Sequence, residues 1–236
     1  ALGPDGATRW TYRGCTTSSQ SAPAVAADAA TLFTCNDGAV ISLDDAGHVR
    51  WRTALAEVAT VSPTIGPSGD FLVKGNDLAS LAPDGSIRWR DGNVDSFASD
   101  IAVEDGLLFL AGGETVAAYR DDGSLVWLHE ENKARFRQVA ITAAGTVVTC
   151  ASDSVVAFSR SGAVLWRAPV KDGRALAADA AGNVFVATFA KTIHALGPDG
   201  SVRWTFDTRD ELPGGFAIGG DGTLYAFDRK SVYAIR

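Results

Sequence analysis

The side chains able to do chemistry are few and scattered. Cys15, Cys35, Cys150, His48, His129 and His194 are all the cysteines and histidines in 236 residues. Zinc sites draw Cys and His at short paired spacings, and none occurs here. Asp44-Asp45 and Asp121-Asp122 are the kind of carboxylate pairs that attract calcium. A calcium loop, however, alternates acidic positions and closes on Glu, so both pairs read as turn residues that bond their own backbone. No Gly-x-Ser-x-Gly nucleophile turn is present, and Gly66-Pro67-Ser68-Gly69 reads as a hairpin turn. No catalytic, cofactor-binding or metal-ligating residue is expected from the sequence. A site assembled from distant segments stays open, because spatial neighbours need not be sequence neighbours.

What the sequence does carry is a repeat. Trp10, Trp51, Trp89, Trp127, Trp166 and Trp204 are spaced by 41, 38, 38, 39 and 38 residues. Each ends a similar stretch: ALGPDGATRW, SLDDAGHVRW, SLAPDGSIRW, AAYRDDGSLVW, AFSRSGAVLW and ALGPDGSVRW. Within a unit, short β-rich runs alternate with Gly, Asp, Asn and Pro. Phe71-Leu72-Val73-Lys74, Leu78-Ala79-Ser80-Leu81 and Ser86-Ile87-Arg88-Trp89 are three such runs, and Asp105-Gly106, Asp122-Gly123, Asp199-Gly200 and Asp221-Gly222 supply the positive φ that tight turns need. Four strands per unit of about 40 residues is the pattern of a propeller blade. Ala24-Val25-Ala26-Ala27 has helical propensity alone, but its equivalents, Thr64-Ile65 and Ala140-Ile141, do not. No helix is expected.

The expected fold is all-β: a six-bladed β-propeller of four-stranded antiparallel blades forming one domain over 1–236. The blades span about 13–53, 61–91, 99–129, 137–168, 174–206, and 215–236 together with 1–12. The last pairing is a ring closure: the chain starts with the last quarter of a unit and stops after the third quarter of another, so the segment from Ala7 to Tyr12 is expected to complete the C-terminal blade and remove an open edge.

The recurring Ala-x-x-x-Asp/x-Gly-x-x-x-Trp stretch resembles the tryptophan-docking motif of PQQ-like repeat propellers, a family that includes quinoprotein dehydrogenases and BamB-type assembly lipoproteins. It fits WD-type repeats less well, since the residue after Trp is Thr, Arg, Arg, Leu, Arg or Thr and never Asp. The resemblance implies that the Trp side chains are structural, each packed between neighbouring blades over small residues. It implies no cofactor: the family's quinone sites have adjacent cysteines and a carboxylate cage, whereas these cysteines are dispersed, and family members have eight blades. "PQQ-like" is here the name of a repeat.

Placed on the blades, Cys35 and Cys150 occupy equivalent positions three units apart. They read as small core residues on opposite sides of a ring, too far apart for a disulfide. Cys15 lies in the loop entering the first full blade, and a Cys15–Cys35 bond is left open by spacing alone.

With 21 Lys and Arg against 28 Asp and Glu, the net charge of −7 argues against nonspecific nucleic-acid binding, which needs a basic footprint. No run is long and apolar enough for a membrane span. The chain has no Met, even at position 1, so its natural start is expected to have been removed by processing or by excision from a longer protein. By analogy with the family, a periplasmic or secreted location is expected.

The connections from each outer strand to the next inner strand vary most in length and charge, and such loops on a rigid scaffold are where function concentrates. Asp91 with Asp95, Glu130 with Glu131, and Asp210 with Glu211 are acidic. Lys133, Arg135 and Arg137, continued by Lys171 and Arg174, are basic. Three functional readings follow. The leading one is a non-catalytic interaction or scaffold module, most simply a monomer, docking a protein on this bipolar face. The second is a small molecule or glycan at the channel mouth, near Ser62, Asp100, Arg137, Arg174 and Phe216. The third is an enzyme with a dispersed site.

Overall fold

The computed structural model describes residues 1–15, 22–55, 62–75, 77–92, 98–212 and 215–236, and their side chains other than those of 98–100. Among these there is no helix. Six antiparallel sheets follow one another along the chain, each a meander. The first contains β1 (Ala24–Val25), β2 (Thr31–Thr34), β3 (Ala39–Leu43) and β4 (Val49–Ala54), and the second β5 (Thr64–Ile65), β6 (Phe71–Lys74), β7 (Leu78–Leu81) and β8 (Ile87–Asp91). The third contains β9 (Ala98–Glu104), β10 (Leu107–Gly112), β11 (Thr115–Arg120) and β12 (Leu125–Glu130), and the fourth β13 (Arg137–Ile141), β14 (Val147–Cys150), β15 (Val155–Phe158) and β16 (Val164–Ala168). The fifth contains β17 (Gly173–Ala178), β18 (Val184–Thr188), β19 (Thr192–Leu196) and β20 (Val202–Asp207), and the sixth β21 (Ala217–Ile218), β22 (Leu224–Phe227) and β23 (Val232–Ile235).

Burial follows strand position. Strands β6, β7, β14, β15 and β18 are buried along their whole length, as continuous runs such as Val147-Val148 and Val155-Val156 predict for strands covered on both faces. Fourth strands such as β20 alternate between exposed and half-buried residues. The apolar clusters form between successive sheets. One joins Val148, Val155 and Ala157 to Val184, Val186 and Leu196, with Trp166 against it. Another joins Leu32 and Val40 to Phe71, Val73 and Leu81, with Trp51 against it.

Five of the six tryptophans share one geometry. The small residue that recurs in each unit pairs directly with the Trp across the third and fourth strands: Ser42 with Trp51, Ser80 with Trp89, Ala118 with Trp127, Ala157 with Trp166, Ala195 with Trp204. The indoles of five of the six, Trp10 to Trp166, then reach the turn of the next unit. Nε1 donates to a carbonyl from Trp10 to Asp45 (2.9 Å), Trp51 to Pro83 (2.8 Å), Trp89 to Asp121 (2.8 Å), Trp127 to Arg160 (2.7 Å) and Trp166 to Pro198 (2.8 Å). The ring lies on the turn glycine. At Gly123, where φ is +85°, a Cβ would stand 2.7 Å from Trp89 Cδ2, so both the backbone conformation and the space require glycine.

The Asp pairs act as turn residues. Asp44 Oδ1 accepts from the Ala46 and His48 amides, and Asp122 Oδ1 from the amide and hydroxyl of Ser124. Asp121 accepts from Ser68 N at 3.0 Å.

The chain divides into two compact units, 1–96 with 105–108 and 120–124, and 97–104 with 109–119 and 125–236. The expected exchange of residues 7–12 into the C-terminal blade is not among the strand pairings of the described residues. Thr8 pairs with Leu2, Arg9 N donates to Ala1 O, and the Ala1 ammonium donates to Trp10 O at 2.8 Å. This hairpin copies the register of Ala195 and Leu196 on Trp204 and Val202. Ala1 and Leu2 are themselves the end of a third-strand motif and offer a partner six residues away, at far lower loop-closure cost than a distant strand. The sixth sheet accordingly has three strands, and Val232 on β23 is 78% exposed.

Cys15 and Cys35 are joined in a disulfide with a Cα separation of 5.6 Å, beside Trp10, Tyr12 and Phe33. Cys150 is free and buried, and burial pushes its thiol up to about 12.

Two outcomes are expected. Gly123→Val forces a β-branched residue to positive φ beneath Trp89 and should destabilise the protein by about 2–4 kcal/mol, read as a lowered midpoint in urea; Gly106→Ala, at a turn with open space, should cost less. Titration with a thiol reagent should count no reactive thiol in the native protein, one after denaturation and three after reduction. Rapid labelling of the native protein would contradict the burial of Cys150.

Candidate functional site

In the second unit, one end of the sheets is built from two sets of segments. The connections 131–136, 169–172 and 208–212 lead toward inner strands, and the turns 151–154, 188–191 and 228–231 lie between second and third strands. Backbone bonds stitch them together: Phe136 N to Gly113 O (2.6 Å), Ser152 N to Ala134 O (2.6 Å), Asp172 N to Ser152 O (3.0 Å), Phe189 N to Asp172 O (3.1 Å) and Thr208 N to Lys191 O (2.8 Å). Loops that satisfy one another's amides in this way form a fixed surface rather than loose connections.

Within this surface, 131–138 is the most constrained segment. Ala134 and Phe136 are buried, while Lys133, Arg135 and Arg137 point to solvent. Phe136 packs against His129 and Phe158 at centroid distances of 6.0 and 6.5 Å. Lys133, Arg135 and Gln138 all have positive φ, at 64°, 51° and 42°, each a departure costing of order 1 kcal/mol for a residue other than glycine. The surroundings impose these angles. Lys133 N donates to Glu114 Oε1 at 2.7 Å, and the Thr149 hydroxyl binds the carbonyls of Arg137 (2.9 Å) and Gln138 (2.7 Å). Gln138 is the extra residue of a bulge in β13, and its side chain accepts from Leu176 N of β17 at 3.0 Å.

Charge on this surface is unequally satisfied. Glu131 is held by Arg167 and His129, and the Arg167 guanidinium keeps its carboxyl below the usual range. Asp210 faces Lys191 at 3.8 Å and Lys230 at 3.9 Å. Glu211 faces Arg229 at 3.7 Å and Arg174 at 3.9 Å. Glu130 is exposed, as is Lys171. Among the described residues, no carboxylate lies within ion-pair distance of Lys133, Arg135 or Arg137. Much of the acidic side of the face is therefore occupied within the chain, while this basic stretch is open.

Of the channel-mouth residues, Arg137 and Arg174 come together, each with its guanidinium over the ring of Phe189, at 5.3 and 5.0 Å. Phe216 packs with Leu212 and Leu224 in the cluster between the fifth and sixth sheets. Ser62 belongs to the other unit, where its hydroxyl accepts from Ala22 N. Asp100 lies in β9 and its side chain is outside the described residues, as is the whole of Asp95. The sequence reading missed Phe189 and Gln138. Phe189 had a visible signal, an aromatic residue in a turn where the fourth sheet has Ser152.

One further residue braces the surface. Asp228 is buried and accepts from Tyr233 Oη (2.6 Å), Ser231 N (2.6 Å), Lys230 N (2.8 Å) and Asp210 N (3.2 Å). The tyrosine hydroxyl, chiefly, and the amides lower its carboxyl from the usual 3.8.

These features define a β-propeller protein of PQQ-like repeats. A sequence profile described as outer membrane protein assembly factor BamB matches residues 68–189 and 151–235, and the chain belongs to that family. No curated protein matches it. Among solved structures, one of a streptogramin B lyase superposes with a TM-score of 0.73 at 12% identity, covering 95% of this chain and 85% of that one. The crystal structure of BamB from Moraxella catarrhalis superposes with a TM-score of 0.59 at 18% identity, covering 97% and 85%. At these identities the likeness is one of fold.

Because Asp228 ionises more readily folded than unfolded, its contribution is present at neutral pH and is lost as pH falls through its lowered pKa. Asp228→Asn should speed amide exchange at 208–212 near neutral pH and leave exchange at 147–150 unchanged. An unaltered 208–212 would remove Asp228 from this role.

Proposed function

We propose that the chain is a non-catalytic protein-interaction module, part of or processed from a longer extracytoplasmic protein, that docks an acidic partner on the loop end of its second unit. The observation that carries this reading is the 131–138 segment. Three non-glycine residues are held at positive φ, and the side chains of Lys133, Arg135 and Arg137 stand out of a buried Ala134–Phe136 base with no carboxylate of the described residues at ion-pair distance. Strain retained on a braced surface is characteristic of sites under functional constraint, and open charge of one sign steers and selects a partner of the other. The description of the family as an assembly factor supports a protein partner. The Cys15–Cys35 disulfide supports an oxidising compartment.

The test uses the angles themselves. Glycine adopts positive φ freely, so Lys133→Gly with Arg135→Gly should melt no lower than the parent. The same variant should lose an acidic partner captured from a source-cell extract, and the parent's complex should weaken steeply between 50 and 300 mM salt. A complex that survives the variant and the salt would refute docking through this face.

A second reading, a ligand at the channel mouth, is favoured by the pairing of Arg137 and Arg174 on Phe189.

A further inference from the structure

We propose that Arg137, Arg174 and Phe189 form a binding site for a carboxylate carried on an apolar or aromatic body. It rests on and deepens the docking reading, by naming the group on the partner that is recognised.

The argument begins with the inner strands. Both β13 and β17 are bulged at their first residues, with register shifts between Arg137 and Val139 and between Gly173 and Ala175. Bulges re-aim side chains and are frequent beside binding sites. Here they fall on the first residues of two successive inner strands, offset by one residue, with Gln138 the extra residue in β13 and Arg174 in β17. Gly173 lets the start of β17 lie close against the end of β14: a Cβ there would stand 2.3 Å from Cys150 Sγ. The side chain that follows, Arg174, is thereby set beside the same ring as Arg137.

That ring is the second observation. Phe189 is 42% exposed, although apolar clusters lie close by. Two guanidiniums rest near it, held by the attraction between a cation and the aromatic face. A guanidinium stacked on a ring keeps its in-plane N–H groups for acceptors. Arg137 has no carboxylate partner among the described residues. Arg174 has only Glu211 at 3.9 Å, beyond hydrogen-bond distance, and Glu211 is shared with Arg229 at 3.7 Å. Two pre-positioned cations therefore share a fraction of one carboxylate. The ring beside them offers a surface for an apolar body, so a ligand with both features satisfies the site. A nucleic-acid backbone does not suit a protein of net charge −7.

The probes are N-acetyl-phenylalanine, its uncharged amide, and inorganic phosphate, titrated into the intact chain and followed by calorimetry and the Phe189 ring resonances. N-acetyl-phenylalanine should bind saturably, and the amide roughly tenfold more weakly or worse. Arg137→Gln and Arg174→Gln should each weaken binding about tenfold. Glu211→Gln should tighten it severalfold, because the internal competitor is gone, and a gain cannot come from misfolding. The proposal is overturned if the amide binds as well as the acid, if Glu211→Gln leaves the affinity unchanged, or if neither the parent nor that variant binds. Phosphate binding as tightly as N-acetyl-phenylalanine would mean a bare anion site and would also overturn it. The purified chain is used throughout, so these results are independent of the capture experiment. Loss of capture in the glycine variant with no carboxylate binding would retain the docking face and discard this site.

Discussion

The contact on which the rest depends is a tryptophan laid across a glycine turn. Sheets of four short strands have little stability alone, and here the first four each gain an anchor on the next. Trp89 shows how the contact is made. Its partner across the strand is Ser80, small enough to leave the ring room, and its indole N–H meets the Asp121 carbonyl. The turn beneath it bends through Gly123 at an angle few other residues accept. A large rigid ring buries much area with few torsions to freeze, which explains why the position is Trp throughout, while its surroundings vary among Pro, Asp and Arg.

A scaffold held from within leaves its loop ends free to specialise. In the second unit that freedom is used unevenly. Asp210, Glu211 and Glu131 are occupied by cations of the same chain, whereas the stretch from Lys133 to Arg137 is not. The difference is invisible in composition, because both stretches are simply charged. It arises from which turns reach which loops, and so from the backbone bonds that carry 151–154 to Ala134 and 188–191 to Asp172 and Thr208.

This sets what could be read from the sequence. The repeat and the strands were legible because each depends on local pattern: spacing, turn residues, alternation. The Asp pairs were legible as turn caps for the same reason. The cysteine bond was half legible, since position ruled out Cys35 with Cys150 but could not choose Cys15. The site was less so. Arg137 and Arg174 were visible as charges, yet they meet over Phe189 from two bulged strands, which pattern does not reveal. The N-terminal segment shows a different limit. Its Trp motif was recognised and residues 7–12 were expected to pair with the C-terminal blade, whereas the pairing among the described residues is with Ala1 and Leu2.

The tryptophan and the glycine that receives it sit in different repeats, and this has a consequence for how such chains change length. At each of the five joints seen here, the donor ring precedes its acceptor turn by one repeat. Duplicating a whole repeat therefore inserts a matched plug and socket and leaves every older joint intact, whereas gaining or losing part of one orphans a ring or a turn. Growth of this architecture is thus quantised in units of one blade, and it proceeds without any new chemistry being invented at the joints.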